Sequence, residues 1–168
     1  SPRRGDNFVT QKIVRWFQRY KEWRDTEFVT YHGSANVSPS EDNMFGGMDN
    51  DGELRFFPKL RLGNLDSYRD WSAATDVVHA VDLMLQADKP DDYVVGSGET
   101  RTVREFLKVV CKTILDDDDY MKYVVIDPKF FRPAEVDYLR ADPQKIKTVL
   151  RWEPSVSFNQ LVESMCYE

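Results

Sequence analysis

LRLGNLDSYRDWSAATDVVHAVDLML, residues 60–85, decides how the rest of the chain is read. A short strand over 59–62 stops at Gly63-Asn64, a pair that breaks a strand into a turn. An Arg69-Asp70-Trp71 cluster follows, and residues 71–75 lead into a helix over about 76–87. Val77, Val78, Val81, Leu83, Met84 and Leu85 give that helix broad apolar cover. A charged cluster where a loop meets a helix is a common place for a fold to hold an anion.

Outward from this stretch, short strands alternate with helices. Upstream, Phe8, Val9, Ile13, Trp16, Phe17 and Tyr20 recur at three and four, which predicts an amphipathic helix over 8–23. Residues 24–58 form a long excursion. It holds a short strand at 27–31, then Gly, Ser, Asn, Asp and Pro, and a DNDG turn signal at 49–52 where a hairpin fits. Loops this long are functional or disordered, so the excursion is expected to be a mobile insertion.

Downstream, Tyr93-Val94-Val95 reads as a buried α/β strand closed by Gly96-Ser97-Gly98. Thr102 with Glu105 three residues later is a capping-box pattern. The hydroxyl accepts from a free N–H and the carboxylate reaches back, opening a third helix that ends near Asp116. The run Asp116 to Asp119 reads as a solvated turn. Residues 123–126 read as a strand, and DPKFFRP (127–133) as an irregular segment stiffened by a proline near each end. Asp142-Pro143 opens a fourth helix, with an acid at the cap and Pro at the first turn. Ser157 with Gln160 repeats the capping-box pattern ahead of a last helix over 158–165.

At 168 residues the chain is one domain or one lobe of something larger. Its apolar fraction of 41% supplies a core, and its net charge of −6 argues against a nucleic-acid binder, which needs a basic face. No apolar stretch is long enough to span a membrane. Cys111 and Cys166 lie far apart in apolar-patterned segments without ligand spacing, which reads as two buried free thiols of a cytoplasmic protein. The start at Ser1-Pro2 without Met reads as a cut from a longer chain.

The alternation of strands and helices is α/β. No GxGxxG or GxxGxxG opens a βαβ unit, there is no GxxxxGK[ST], and no Tyr is followed four residues later by Lys. On that ground the chain reads as a second, substrate-binding lobe without a cofactor-binding half. The stretches SPRRGDNFVTQKI (1–13), LGNLDSYRDW (62–71), YVVGSGETRTVREF (93–106), DPKFFRPAEVDYLRADPQK (127–145) and LRWEPSVSFNQLVESM (150–165) carry a resemblance. Together they resemble the C-terminal part of the GDP-mannose 4,6-dehydratases, a family of extended short-chain dehydrogenase/reductases.

The resemblance implies an α/β substrate-binding lobe over 1–168, interrupted by the 24–58 insertion and lacking the N-terminal Rossmann nucleotide-binding half. It implies dehydration of GDP-D-mannose to GDP-4-dehydro-6-deoxy-D-mannose. NADP would be held mainly by a missing N-terminal catalytic half, and the full enzyme would be a homo-oligomer. It implies no catalytic residue in this chain, because the family's Tyr and Lys lie upstream of SPRRG. Binding roles carry over residue by residue. Arg4 matches the arginine that helps hold NADP, and Lys12, in VTQK, matches a GDP contact. Arg69 and Arg132 match the arginines around the diphosphate, Glu135 matches an acceptor for the ribose hydroxyls, and Asn7 orients the nearby loop. Guanidinium groups suit this work, since each presents two parallel donors to a phosphate. Ser72-Ala73-Ala74 stands where the family has Gly-His-Ala, and Arg101 where it has His. The rival reading is a nucleotide-sugar-binding or scaffold module without activity. A lobe on its own would expose apolar faces and be marginal or associated.

Overall fold

Leu60–Leu62 is too short to stand alone as a strand and takes its stability from a distant partner. In the computed structural model, which describes residues 8–27, 44–48, 54–131 and 134–167, the chain first forms α1 (Val9–Glu27), β1 (Met44–Met48), β2 (Leu54–Pro58), β3 (Leu60–Leu62) and β4 (Tyr68–Arg69). It continues through α2 (Ala74–Leu85), β5 (Arg101–Thr102), α3 (Val103–Leu115), β6 (Val124–Ile126), α4 (Gln144–Leu150) and α5 (Phe158–Tyr167). β3 pairs parallel with β6, Leu60 opposite Val124 and Leu62 opposite Ile126. Leu60 and Leu62 are buried while Arg61 between them is exposed, the period-two pattern of a half-covered strand.

Three helices cover the parallel pair. α1 turns Ile13, Val14, Phe17 and Tyr20 inward, α3 turns Val103, Phe106, Leu107, Val110 and Cys111, and α5 turns Val162, Met165 and Cys166. Spacings of three and four place each set on one helix face. The expected capping boxes form. Thr102 accepts from Glu105 N–H while the Glu105 carboxylate accepts from Thr102 N–H, and Ser157 and Gln160 do the same ahead of α5. At α4 the expected order shifts by one: Pro143, not Asp142, is the cap residue, and Asp142 before it accepts from Gln144 N–H at 3.0 Å.

β1 and β2 pair antiparallel on either side of DNDG, as a hairpin requires, with Phe45 opposite Phe57. Both rings enter an aromatic cluster with Trp16, Tyr20 and Tyr123, and the Trp16 indole N–H donates to Pro58 O at 2.9 Å. Of the strand expected at 27–31, residues 28–31 lie outside the described residues, and Glu27 ends α1 instead.

A smaller core joins α2 to α4 through Ala80, Ile146 and Trp152. Here two expectations change. α2 starts at Ala74, and only one of its faces is covered: Val77, Val78, Val81 and Leu85 are exposed. Asp76, Ala80, Leu83 and Met84 occupy the packed side, so the apolar residues one position away turn outward by helical geometry. Residues 93–95 join no ladder among the described residues. Tyr93 and Val95 pack on the small core, while Val94 faces out.

The acidic run after α3 is the solvated turn expected, with Asp116, Asp118 and Asp119 exposed and only Asp117 turned in. Asp116 closes the helix in the left-handed conformation (φ 53°) and pairs with Lys112. Asp117 turns back, accepting from the Tyr123 hydroxyl at 2.7 Å and pairing with Lys122. Cys111 and Cys166 are buried free thiols, as expected. Among the described residues no helix is long and apolar enough to cross a membrane.

Candidate functional site

The loop between β3 and α2 is stitched on both sides, and the stitching creates a cleft. Tyr68 and Arg69 pair antiparallel with Thr102 and Arg101. On the other edge Tyr68 N–H donates to Asp137 O and Leu139 N–H to Tyr68 O, at 2.7 and 3.2 Å. Val103 N–H donates to Ser67 O and Arg104 N–H to Leu65 O, which seats the loop on the first turn of α3. Along 65–69 the side chains alternate: Leu65, Ser67 and Arg69 turn inward, Asp66 and Tyr68 outward.

Ser67 and Arg69 form one wall of a cleft of about 760 Å³, in the size range of a small-molecule site, while Leu65 enters the core. Phe8, Val9, Thr10 and Lys12 come from the start of α1, Leu62, Gly63 and Asn64 from the end of β3, and Phe130 and Glu135 from the segments after β6. Gly63 is required there by close approach: a Cβ would lie 2.5 Å from Phe130 O.

Of the six residues assigned binding roles in the sequence, three meet in this cleft. Lys12 donates from Nζ to Arg61 O at 2.7 Å and lies 3.8 Å from the centre of the Phe130 ring. Burial pushes its ammonium below its ordinary value, and nearby Asp127 works against that shift. Arg69 uses Nη1 for Tyr68 O and Val136 O, both at 2.7 Å, and Nη2 for Glu135 Oε1 at 3.2 Å. The two residues assigned to different parts of a ligand therefore pair with each other, with side chains 22% and 19% exposed. Arg4, Asn7 and Arg132 lie outside the described residues.

Asp70 and Trp71 hold the cleft without joining its charge. The Asp70 carboxylate accepts from Ser97 N–H and Oγ, Gly98 N–H and Ala141 N–H, and so latches three segments together. Trp71 packs between Phe106 and Phe158, with ring centres 5.4 and 5.9 Å away. The Arg69-Asp70-Trp71 cluster thus divides its labour: one residue lines the cleft through its charge, one is a backbone acceptor, and one is an aromatic spacer.

Sequence reasoning overlooked Ser67 and Phe130. Ser67 is 1% exposed, and its hydroxyl donates to Glu135 Oε1 at 3.0 Å. The signal was present: a serine at an inward position of the Leu65-Ser67-Arg69 alternation must find a partner.

The chain matches the family model of GDP-mannose 4,6 dehydratase over residues 53–165 and that of the NAD dependent epimerase/dehydratase family over residues 1–96. It is 42% identical to GDP-mannose 4,6 dehydratase 2 of Arabidopsis thaliana, a match that takes in all of this chain and 36% of that protein. It is 36% identical to the GDP-mannose 4,6 dehydratase of Homo sapiens over 99% of the chain and 40% of that protein. The chain thus spans well under half the length of these relatives. Among solved structures, RMD from Pseudomonas aeruginosa complexed with NADPH superposes with a TM-score of 0.67 at 18% identity, over 98% of this chain and 43% of that one. UDP-glucose 4-epimerase of Thermotoga maritima with UDP-glucose superposes at 0.54 and 26% identity, over 66% of this chain and 34% of that one.

These matches correct part of the sequence reading. A chain that is a C-terminal substrate lobe only, without any of the Rossmann-type half, is overturned by the NAD dependent epimerase/dehydratase match over residues 1–96. With it go NADP held mainly by a missing N-terminal half and that half as a required partner. The error was to let one short glycine-rich phosphate loop stand for a whole nucleotide-binding region. Helices and strands that carry no such loop, α1 and the 60–85 stretch among them, fall within the matched residues.

Proposed function

This chain belongs to the GDP-mannose 4,6 dehydratase family, and on that basis we propose that its cleft grips the nucleoside diphosphate of GDP-mannose and places the sugar for an NADP-dependent 4,6-dehydration. The observation that carries the proposal is the meeting of Lys12, Arg69 and Glu135 in one cleft. Two cations suit a diphosphate, and a carboxylate suits a pair of vicinal hydroxyls, each of which can donate to it. Arg69 has a directed role, since its planar donors can address two phosphoryl oxygens where an ammonium offers a point charge. Lys12 is held at the cleft by Arg61 O and Phe130, so its charge is placed before a ligand arrives.

Arg132 and Asn7 are assigned to the same ligand, and Arg4 to NADP, on the family motif. NADP, when bound, supplies hydride acceptance from and return to the sugar. The chain's own described residues bind and orient, and orientation is a large part of catalysis. The alternative is a binding module that grips the nucleotide sugar without turning it over.

Calorimetric titration of the chain with GDP-mannose, GDP and UDP-glucose tests the proposal. Both guanine ligands should bind and UDP-glucose should bind weakly. Arg69→Ala should weaken GDP by about tenfold, the loss of a charge-assisted contact. No binding of either guanine ligand, or equal binding in the variant, refutes it. Product formation from GDP-mannose with added NADP separates an active enzyme from a binding module.

A further inference from the structure

Glu135 receives two donors on one oxygen. Ser67 Oγ and Arg69 Nη2 both reach Oε1, at 3.0 and 3.2 Å, and Oε2 takes neither bond. The two donors differ in what can move them. Arg69 is a long, charged side chain whose guanidinium a phosphate can draw away. Ser67 has one short side-chain bond to rotate and is fully buried, and its carbonyl is tied to Val103 N–H at the start of α3. When a diphosphate competes for Arg69, the Ser67 hydroxyl is the bond that still holds the carboxylate in place.

We infer that Ser67 is a positioning residue that fixes Glu135 as an acceptor for the vicinal hydroxyls of the nucleotide's ribose, so that it sets the discrimination between ribo- and 2′-deoxyribonucleotides. The inference rests on the nucleotide reading of this cleft. A carboxylate free to rotate serves one hydroxyl as readily as two and reads the sugar poorly. One that is pinned through Oε1 presents Oε2 and the outer face of Oε1 in a fixed plane, where a diol can address both. The single proton of Ser67 is already committed to Glu135, so as a donor it acts on a ligand through that carboxylate.

The test compares GDP with 2′-deoxy-GDP by calorimetry, using the full chain and Ser67→Ala, Glu135→Ala and the double variant. Wild type should prefer GDP. Ser67→Ala should weaken GDP roughly tenfold, the scale of one hydrogen bond to a charged group, and move 2′-deoxy-GDP less than about twofold. On the Glu135→Ala background, which removes the acceptor, Ser67→Ala should change neither ligand further, as expected for two residues acting as one unit. A merely structural serine would weaken both ligands alike and would still act on the Glu135→Ala background, and that result overturns the inference. So does an unchanged GDP affinity in a variant that melts like wild type. If wild type itself binds no guanine nucleotide, the nucleotide reading fails, and the inference falls with it. If Ser67→Ala does not fold, Ser67→Cys, which keeps the volume with a weak donor, takes its place with the same two ligands, and the same outcomes support or overturn the inference.

Discussion

Replacing Asp70 by Asn keeps the size of the side chain and removes its charge and one acceptor. Oδ1 accepts from Ser97 N–H at 3.0 Å and Ser97 Oγ at 2.6 Å, and Oδ2 accepts from Gly98 N–H at 2.9 Å and Ala141 N–H at 3.1 Å. An amide has one oxygen and one NH2. With NH2 in the Oδ2 position, the Gly98 and Ala141 amides both face a donor. With NH2 in the Oδ1 position, the Ser97 hydroxyl can turn and accept, but Ser97 N–H has no acceptor. The better placement therefore forfeits one charge-assisted bond outright, at roughly 1.5–3 kcal/mol, and makes the other three neutral, at about 0.5 kcal/mol each. Lowered because the site is only partly buried, the cost of Asp70→Asn should be about 3 kcal/mol. Asp70→Ala should cost about 4 kcal/mol, since all the donors lose their acceptor. The node has little slack: a Cβ on Gly96 would lie 2.3 Å from Ala141 Cβ and 3.3 Å from Asp70 Oδ2. Urea unfolding followed by circular dichroism measures the loss, and for a chain of this size the melting temperature should fall by about 6–12 °C. An Asn variant within about 0.5 kcal/mol of wild type would refute the claim that this carboxylate latches the three segments.

Gly63→Ala should force Phe130 away from the end of β3, because the new Cβ would lie 2.5 Å from Phe130 O. A loss of about 1–3 kcal/mol in the same assay is the size expected for overpacking, and an unchanged midpoint would mean the cleft wall is loose. Burial pushes both thiols up to about 12, so Cys111 and Cys166 should resist a thiol reagent at pH 8 and both react once urea unfolds the chain; fast labelling of either in the folded protein would contradict the packing. Lys122 and then the Tyr123 hydroxyl hold the Asp117 carboxyl down to about 2, below the usual carboxylate range. A depressed carboxyl stabilises the fold above its unfolded value, and that contribution is lost as pH falls through its folded value. The urea midpoint of Lys122→Met should therefore lie below wild type at pH 5 and converge with it near pH 2, and a gap independent of pH would point to lost packing instead.

Much of the architecture was written locally. The Thr102–Glu105 and Ser157–Gln160 boxes each close within a few residues, and the β1–β2 pairing flanks the DNDG signal, so a linear reading finds them. The inward stripes of α1, α3 and α5 follow from helical spacing alone. α2 defeats that reading because its apolar residues surround more than one face, and spacing cannot say which face a neighbour covers. Only the approach of Ile146 and Trp152 turns Ala80 in and leaves Val78 and Leu85 out. Residues 93–95 have the composition of a strand, but a ladder needs a partner, and pairing is not a property of the segment itself.

The site divides along the same line. The family resemblance made Lys12, Arg69 and Glu135 candidates, and their ammonium, guanidinium and carboxylate groups each suit a part of a nucleotide. That Arg69 and Glu135 pair, and that Ser67 shares their oxygen, depends on contacts across 66 and 68 residues. Such contacts exist only once β4 has been stitched to the 137–139 segment and to α3. Where helices begin, and which groups can carry charge, are settled within the linear chain, since they depend on bonds a few residues long. Which charges meet is settled only in three dimensions, because that depends on closing long loops around a core whose partners lie far apart in the chain.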